Sequence, residues 1–314
     1  MSTTERRREA GGPIATDVDR SDLDLLLLIR HFEQAVLDLF SAGEVNGTTH
    51  TCIGQEHVPV ALRTLLHPED FLFSNHRGHG HYLARFGDPA GLLAEILGRA
   101  GAVCHGVGGS QHIHRAGFLT TGVQGESVPV AAGVALHLKR HRPGALSVAF
   151  IGDGTWGEGA VYEALNMAAL WRLPLLLVVE HNGIAQSSPT EAQLAGSIGG
   201  RAAAFGLTHR RVDSPDVGRI RELVRGDLER VRSHGVPGVL EFSVPRLGPH
   251  SKGDDTRAPE ELRSLRRRDW YRHYQRSFPD LFAETEERQR KAVADVVREV
   301  RGRPLSTWGT DGWG

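Results

Sequence analysis

The sequence predicts an α/β fold: a doubly wound, mostly parallel sheet with helical extensions. Three observations carry this. Apolar runs without polar alternation, such as Leu-Pro-Leu-Leu-Leu-Val-Val at 173–179, read as strands buried on both faces. Helical segments separate such runs from residue 128 onward, the alternation that produces a parallel sheet covered on both sides. Asp153 and Asn182 stand at the ends of two of these runs, where open α/β sheets bind ligands.

Each element has its own signal. Residues 1–20 hold charge but no apolar block, so a disordered arm is expected there, not a leader peptide or anchor. Residues 21–314 are expected to form a single domain. Ser21 is the expected N-cap of a helix from Asp22 to Ser41, with Leu25, Leu28, Phe32, Val36 and Phe40 as its apolar residues and Gly43 past its end. A helix over 55–66 should follow, then a strand near 70–73, a His- and Gly-rich loop over 75–81 and a helix over 89–99. Residues 101–127 lack periodicity and are expected to be irregular. From Val128 the pattern gives helix 129–140, strand 145–151, helix 158–171, strand 174–180, helix 191–205, strand 208–212, helix 215–233 and strand 237–243. A polar loop over 245–258 precedes two charged helices near 259–274 and 284–301.

Composition narrows the function. A formal charge of −1 leaves no basic field to draw nucleic acid or anionic lipid. The longest apolar run contains a proline and falls far short of the ~20 residues a membrane helix needs. Neither nucleic acid nor membrane is an expected partner. Cys52 and Cys104 form no C-x-x-C pair, which fits a reducing, cytoplasmic setting. Glycine makes up 38 of 314 residues, above the roughly 7% average. Much of it lies in loops between residues 78 and 160, where backbone is expected to approach a ligand.

Asp153 lies between Gly152 and Gly154, and one strand-helix-strand interval separates it from Asn182. Adjacent βα turns bring such side chains to one point. A carboxylate, an amide oxygen and a diphosphate are hard ligands suited to Mg²⁺. The flanking glycines let backbone N–H groups at the following helix N-terminus approach an anion. A lone Gly-Asp-Gly is an ordinary turn more often than not; Asn182 is what gives this one meaning. A Rossmann dinucleotide site is disfavoured, and so is a P-loop, since no G-x-x-x-x-G-K-[ST] is present. The histidines of "HRGHGH", with Cys104 and His105, leave zinc as an alternative, although none has strong structural-zinc spacing.

Five stretches in order, "HTCIGQEHVPVAL", "HRGHGHYLA", "GVGGSQHIH", "GDGTWGEGAVYEALNMAALWRLP" and "HSKGDDTR", resemble a known family. It is the α subunit of the thiamine diphosphate-dependent dehydrogenase component of 2-oxo acid dehydrogenase complexes, of the pyruvate, acetoin and branched-chain type. The resemblance spans roughly residues 45–260. It implies that Asp153, Asn182 and the backbone carbonyl of Ile184 hold Mg²⁺, and that Arg77 binds the cofactor diphosphate. It also implies Gly154 and Thr155 against the diphosphate, and the backbone of Gly122 and Gln124 facing the aminopyrimidine. His50, His79 and His250 match histidines that line the catalytic funnel, with proton transfer and substrate orientation as their expected tasks. His181 departs from the usual Asn, Ile184 from the usual aromatic residue and Gln124 from an apolar one. Ser251 matches a serine that some members carry phosphorylated.

The implied reaction is decarboxylation of a 2-oxo acid, or cleavage of an acyloin such as acetoin, with transfer of the acyl unit to a lipoyl acceptor. The implied partners are a β subunit supplying the pyrimidine-binding domain, in an α₂β₂ tetramer, and a lipoyl acyltransferase. A thiamine-dependent acyloin-forming carboligase and a non-catalytic scaffold subunit are the alternative readings.

Overall fold

The computed structural model describes residues 18–251 and 255–307. Most of the arm expected over 1–20 lies outside them. Helix α1 (Arg20–Ser41) begins two residues before the expected start, and Asp19 caps it in place of Ser21: its carboxylate accepts from the Ser21 N–H at 2.8 Å. Helix α2 (His57–Leu62) is shorter than expected and leads to strand β1 (Phe71–Ser74).

The stretch 75–81 is only half loop. Helix α3 (His79–Phe86) starts inside it, because His79 and His81 are buried and hydrogen-bonded, and tertiary burial outweighs a weak local propensity. Asp88 caps helix α4 (Pro89–Leu97) by accepting from Gly91 N at 2.9 Å. The stretch 101–127 contains a hairpin, β2 (His114–Arg115) and β3 (Phe118–Thr120), turning through Gly117 at φ 76°. Strands this short carry no readable alternation.

The regular part keeps the expected order: α5 (Ser127–His141), β4 (Ser147–Gly152), α6 (Gly159–Leu170), β5 (Leu175–His181), a small ribbon β6 (Ile184–Ala185) and β7 (Ser188–Pro189), α7 (Ile198–Ala204), β8 (Thr208–Val212), α8 (Val217–His234) and β9 (Gly238–Ser243). The helix expected over 191–205 forms only in its second half, because a 3₁₀ turn takes Thr190–Ala192 and Ser197 caps α7. The helix expected over 259–274 is two helices, α9 (Pro259–Arg267) and α10 (Trp270–Ser277), divided where Asp269 caps the second. Helix α11 (Pro279–Gly302) starts at its proline, as position N1 favours, and packs along α1.

The seven-stranded sheet runs β2-β3-β1-β4-β5-β9-β8, parallel at every pairing except β2 with β3. Val148, Phe150, Leu176, Val178, Leu240 and Phe242 face one core with α1 and α8. Their neighbours Ala149, Ile151, Leu177, Val179 and Val239 face a second core with α5 and α6. Burial on both faces explains the continuous apolar runs, each Leu or Val side chain contributing about 1.5–3 kcal/mol. From β1 the chain passes to β3 on one side and later to β4 on the other. The carboxyl ends of β1 and β4 therefore flank a topological switch point, the place where such sheets open a crevice. No described helix is long and apolar enough to cross a membrane.

Candidate active site

At that switch point lies a cavity of about 370 Å³. Asp153 follows β4 and Asn182 follows β5, and these strands pair directly, Gly152 opposite Glu180. Asp153, Asn182 and Ile184 all line the cavity. The Asp153 carboxylate is buried and its Oδ2 accepts from the Thr190 hydroxyl and, at 3.1 Å, from Gly183 N. Both hydrogen bonds fall on Oδ2, so Oδ1 keeps its capacity as a ligand. Asn182 Oδ1 accepts from Ile184 N at 3.1 Å, which fixes the amide at the turn. A carboxylate, an amide oxygen and a nearby backbone carbonyl form a donor set that suits a hard divalent cation.

The backbone after Asp153 differs from expectation. A 3₁₀ turn over Asp153–Gly157 intervenes, and α6 begins at Gly159, so the N–H groups of Gly154 and Thr155 belong to that turn and not to the helix N-terminus. A Cβ on Gly154 would come within 2.4 Å of Ala185 Cβ, which is why the turn and β6 pack backbone to side chain here.

The other wall descends from β1. Arg77 is buried, and its guanidinium donates to Thr51 O at 2.6 Å and to His250 O at 3.3 Å. Burial, and then the charge of Arg246, pull the Arg77 pKa down to about 10. Two cationic forks in one cavity make it suited to an anion. Gln124 joins three segments: its Nε2 donates to Gly122 O at 3.2 Å and lies 2.9 Å from His76 Nδ1, and its Oε1 accepts from the Thr155 hydroxyl at 3.1 Å. A Cβ on Gly122 would come within 2.5 Å of Gln111 Oε1, so a side chain there would require the Gln111 amide to shift.

His50, His76 and His250 cluster at one end, with ring centroids 4.7, 4.6 and 5.6 Å apart. Burial, with Arg77 and the neighbouring rings, holds the His76 pKa well below the usual imidazole range. His79 is placed differently from the expected funnel histidine: it does not line the cavity. Its ring is fully buried between Glu33 Oε2 at 2.9 Å and the Ser110 hydroxyl at 2.8 Å. Ser110 in turn meets Thr49 at 3.1 Å, and Glu33 Oε1 accepts from Cys52 N at 2.7 Å. His79 thus braces both ends of the segment that carries His50.

His181, at the position of a usual Asn, lies 2.8 Å from Glu241 Oε1 and 3.7 Å from Asp153 Oδ2. Although burial opposes it, hydrogen bonds from His181 and His209 hold the Glu241 carboxyl at about 2. The zinc alternative finds no support: among the described residues no cluster of three His, Cys, Asp or Glu side chains is arranged for a metal, and Cys104 bonds to the backbone of His114.

Residues 25–301 match the family described as the dehydrogenase E1 component. The chain belongs to the dehydrogenase E1 family. Relatives of this E1 chain include the alpha subunit of an acetoin:2,6-dichlorophenolindophenol oxidoreductase from Bacillus subtilis, 39% identical over 73% of this chain and 70% of the relative. The pyruvate dehydrogenase E1 component subunit alpha of Zymomonas mobilis is 37% identical over 77% and 70%. That of Rhizobium meliloti is 34% identical over 82% and 76%. E1 dehydrogenases depend on thiamine diphosphate, and this chain is an oxidoreductase subunit of the α type.

Cavity residues of the E1 chain that escaped sequence reasoning include Gln55, His76, Glu180 and Arg246. A positional signal existed for three of them. Glu180 precedes the β5 terminus, His76 lies just past β1 and Arg246 just past β9, so all stand at the carboxyl edge of the sheet. Gln55 had none, because its place depends on how the segment 49–56 packs.

Proposed function

We propose that this E1 chain, residues 21–314 forming one thiamine diphosphate-binding domain, is the α subunit of a Mg²⁺-dependent enzyme that decarboxylates a 2-oxo acid or cleaves acetoin. The acyl unit passes to a lipoyl group on a separate acyltransferase. When bound, thiamine diphosphate supplies the carbanion chemistry, and the protein supplies placement and electrostatics. Asp153, Asn182 and the Ile184 carbonyl would hold Mg²⁺, and Gly154, Thr155 and Arg77 the diphosphate. Gly122 and Gln124 would face the aminopyrimidine. His50 and His250 stand together at one end of the cavity, where they would orient the substrate carboxylate and move protons. His79 would act through the segment that carries His50. The β subunit, the α₂β₂ assembly and a cytoplasmic setting, which suits the free Cys52 and Cys104, belong to the same proposal.

One observation carries this reading: two hard oxygen ligands on adjacent strand ends face two buried arginines across one cavity. Its test is reconstitution. Decarboxylation of a 2-oxo acid, or acetoin cleavage, should require the α chain, its β partner, thiamine diphosphate and Mg²⁺ together. Full activity from the purified α chain alone would refute the two-subunit site.

A further inference from the structure

Gln55 is 1% exposed and lines the cavity, yet neither its Oε1 nor its Nε2 has a hydrogen-bond partner among the described residues. Leaving both ends of a buried amide unmet is costly, and native proteins rarely tolerate it without a reason. The backbone that carries this side chain is held on both sides. Gln55 N donates to Cys52 O at 2.8 Å. The next residue, Glu56, accepts from Arg30 Nε at 2.6 Å, Trp270 Nε1 at 2.6 Å and Gly54 N at 2.7 Å.

The turn carrying Gln55 also supports both cavity arginines. Thr51 O takes the Arg77 guanidinium, and Leu247 N donates to Ile53 O at 3.2 Å. A Cβ on Gly54 would lie 2.3 Å from Pro245 O, so the segment carrying Arg246 rests on this turn at backbone contact. An amide lining the same cavity as two guanidinium groups adds a neutral N–H donor where anions are drawn in.

We propose that Gln55 is an oxyanion-binding residue, its Nε2 donating to an oxygen of the cofactor diphosphate or of the substrate carboxylate. This deepens the function proposed above and rests on it. The test uses the assembled α and β chains with Gln55→Leu and Gln55→Glu. The first removes the donor. The second keeps the shape and puts a carboxylate into a cavity that also holds Arg77 and Arg246, so its melting temperature should hold while anion binding fails.

For a diphosphate contact, calorimetric titration with thiamine diphosphate and Mg²⁺ should show roughly 10- to 100-fold weaker binding. For a carboxylate contact, cofactor affinity should hold while KM for the 2-oxo acid rises by a similar factor. The effect of Gln55→Glu should exceed that of Gln55→Leu in either case. Wild-type affinity and KM in both folded variants would overturn the assignment. If the wild-type complex binds no thiamine diphosphate, the functional reading fails instead. The same titrations with inorganic diphosphate and Mg²⁺ then judge Gln55: weaker binding by the variants supports it, and equal binding or none overturns it.

Discussion

His57 opens α2 with its ring buried and its Nδ1 without a hydrogen-bond partner among the described residues. Burial depresses its pKa to about 4, so the folded chain keeps the ring neutral. The unfolded chain takes up the proton near pH 6.5. Stability linked to His57 is therefore complete above pH 6.5 and is lost as pH falls toward 4, to the extent of about 3 kcal/mol. Urea unfolding followed from pH 7 to pH 4 should show this loss, and His57→Gln should remove His57's share of the slope. Legibility at this scale was uneven. Asp153, Asn182 and Arg77 were readable because a strand end or a motif places them. His79 was harder to place because the three histidines of "HRGHGH" look alike in sequence, and only the start of α3 turns this one toward Glu33.

Between elements, Arg30 of α1 ties three helices together. It meets Glu56, just before α2, at 2.6 Å, and makes a paired contact with Asp269, the cap of α10, at 2.9 and 3.1 Å. Its guanidinium also lies 4.8 Å from the Trp270 ring centroid. Removing one partner of so buried a set strands the other charges, so Arg30→Met should cost about 3–5 kcal/mol, read from the urea midpoint. Arg30 and Asp269 are 239 residues apart, which is why no local pattern announced the pair. The same reason explains the break between α9 and α10, where Asp269 caps and pairs at once. Strands β4, β5 and β9 were legible because burial on both faces writes an apolar run, whereas β2 and β3 have too few residues to write any pattern.

On the scale of the molecule, strand order decides where the chemistry sits. Because β1 sends the chain to β3 on one side and to β4 on the other, the loop holding Arg77 and the turn holding Asp153 face each other across one crevice. The alternation of strands and helices predicted the doubly wound class, but not that β9 would enter between β5 and β8; that order brings Arg246 and His250 over the same cavity. The central claim is that Asp153 and Asn182 anchor a Mg²⁺–thiamine diphosphate complex. Titrating the cofactor and Mg²⁺ into the α–β assembly tests it most directly, with Asp153→Asn compared against wild type. Saturable wild-type binding, weakened at least about 10-fold in the variant with its fold intact, is the predicted result, since even outer partners of a metal ligand cost that much. Equal affinity in the two proteins would contradict it.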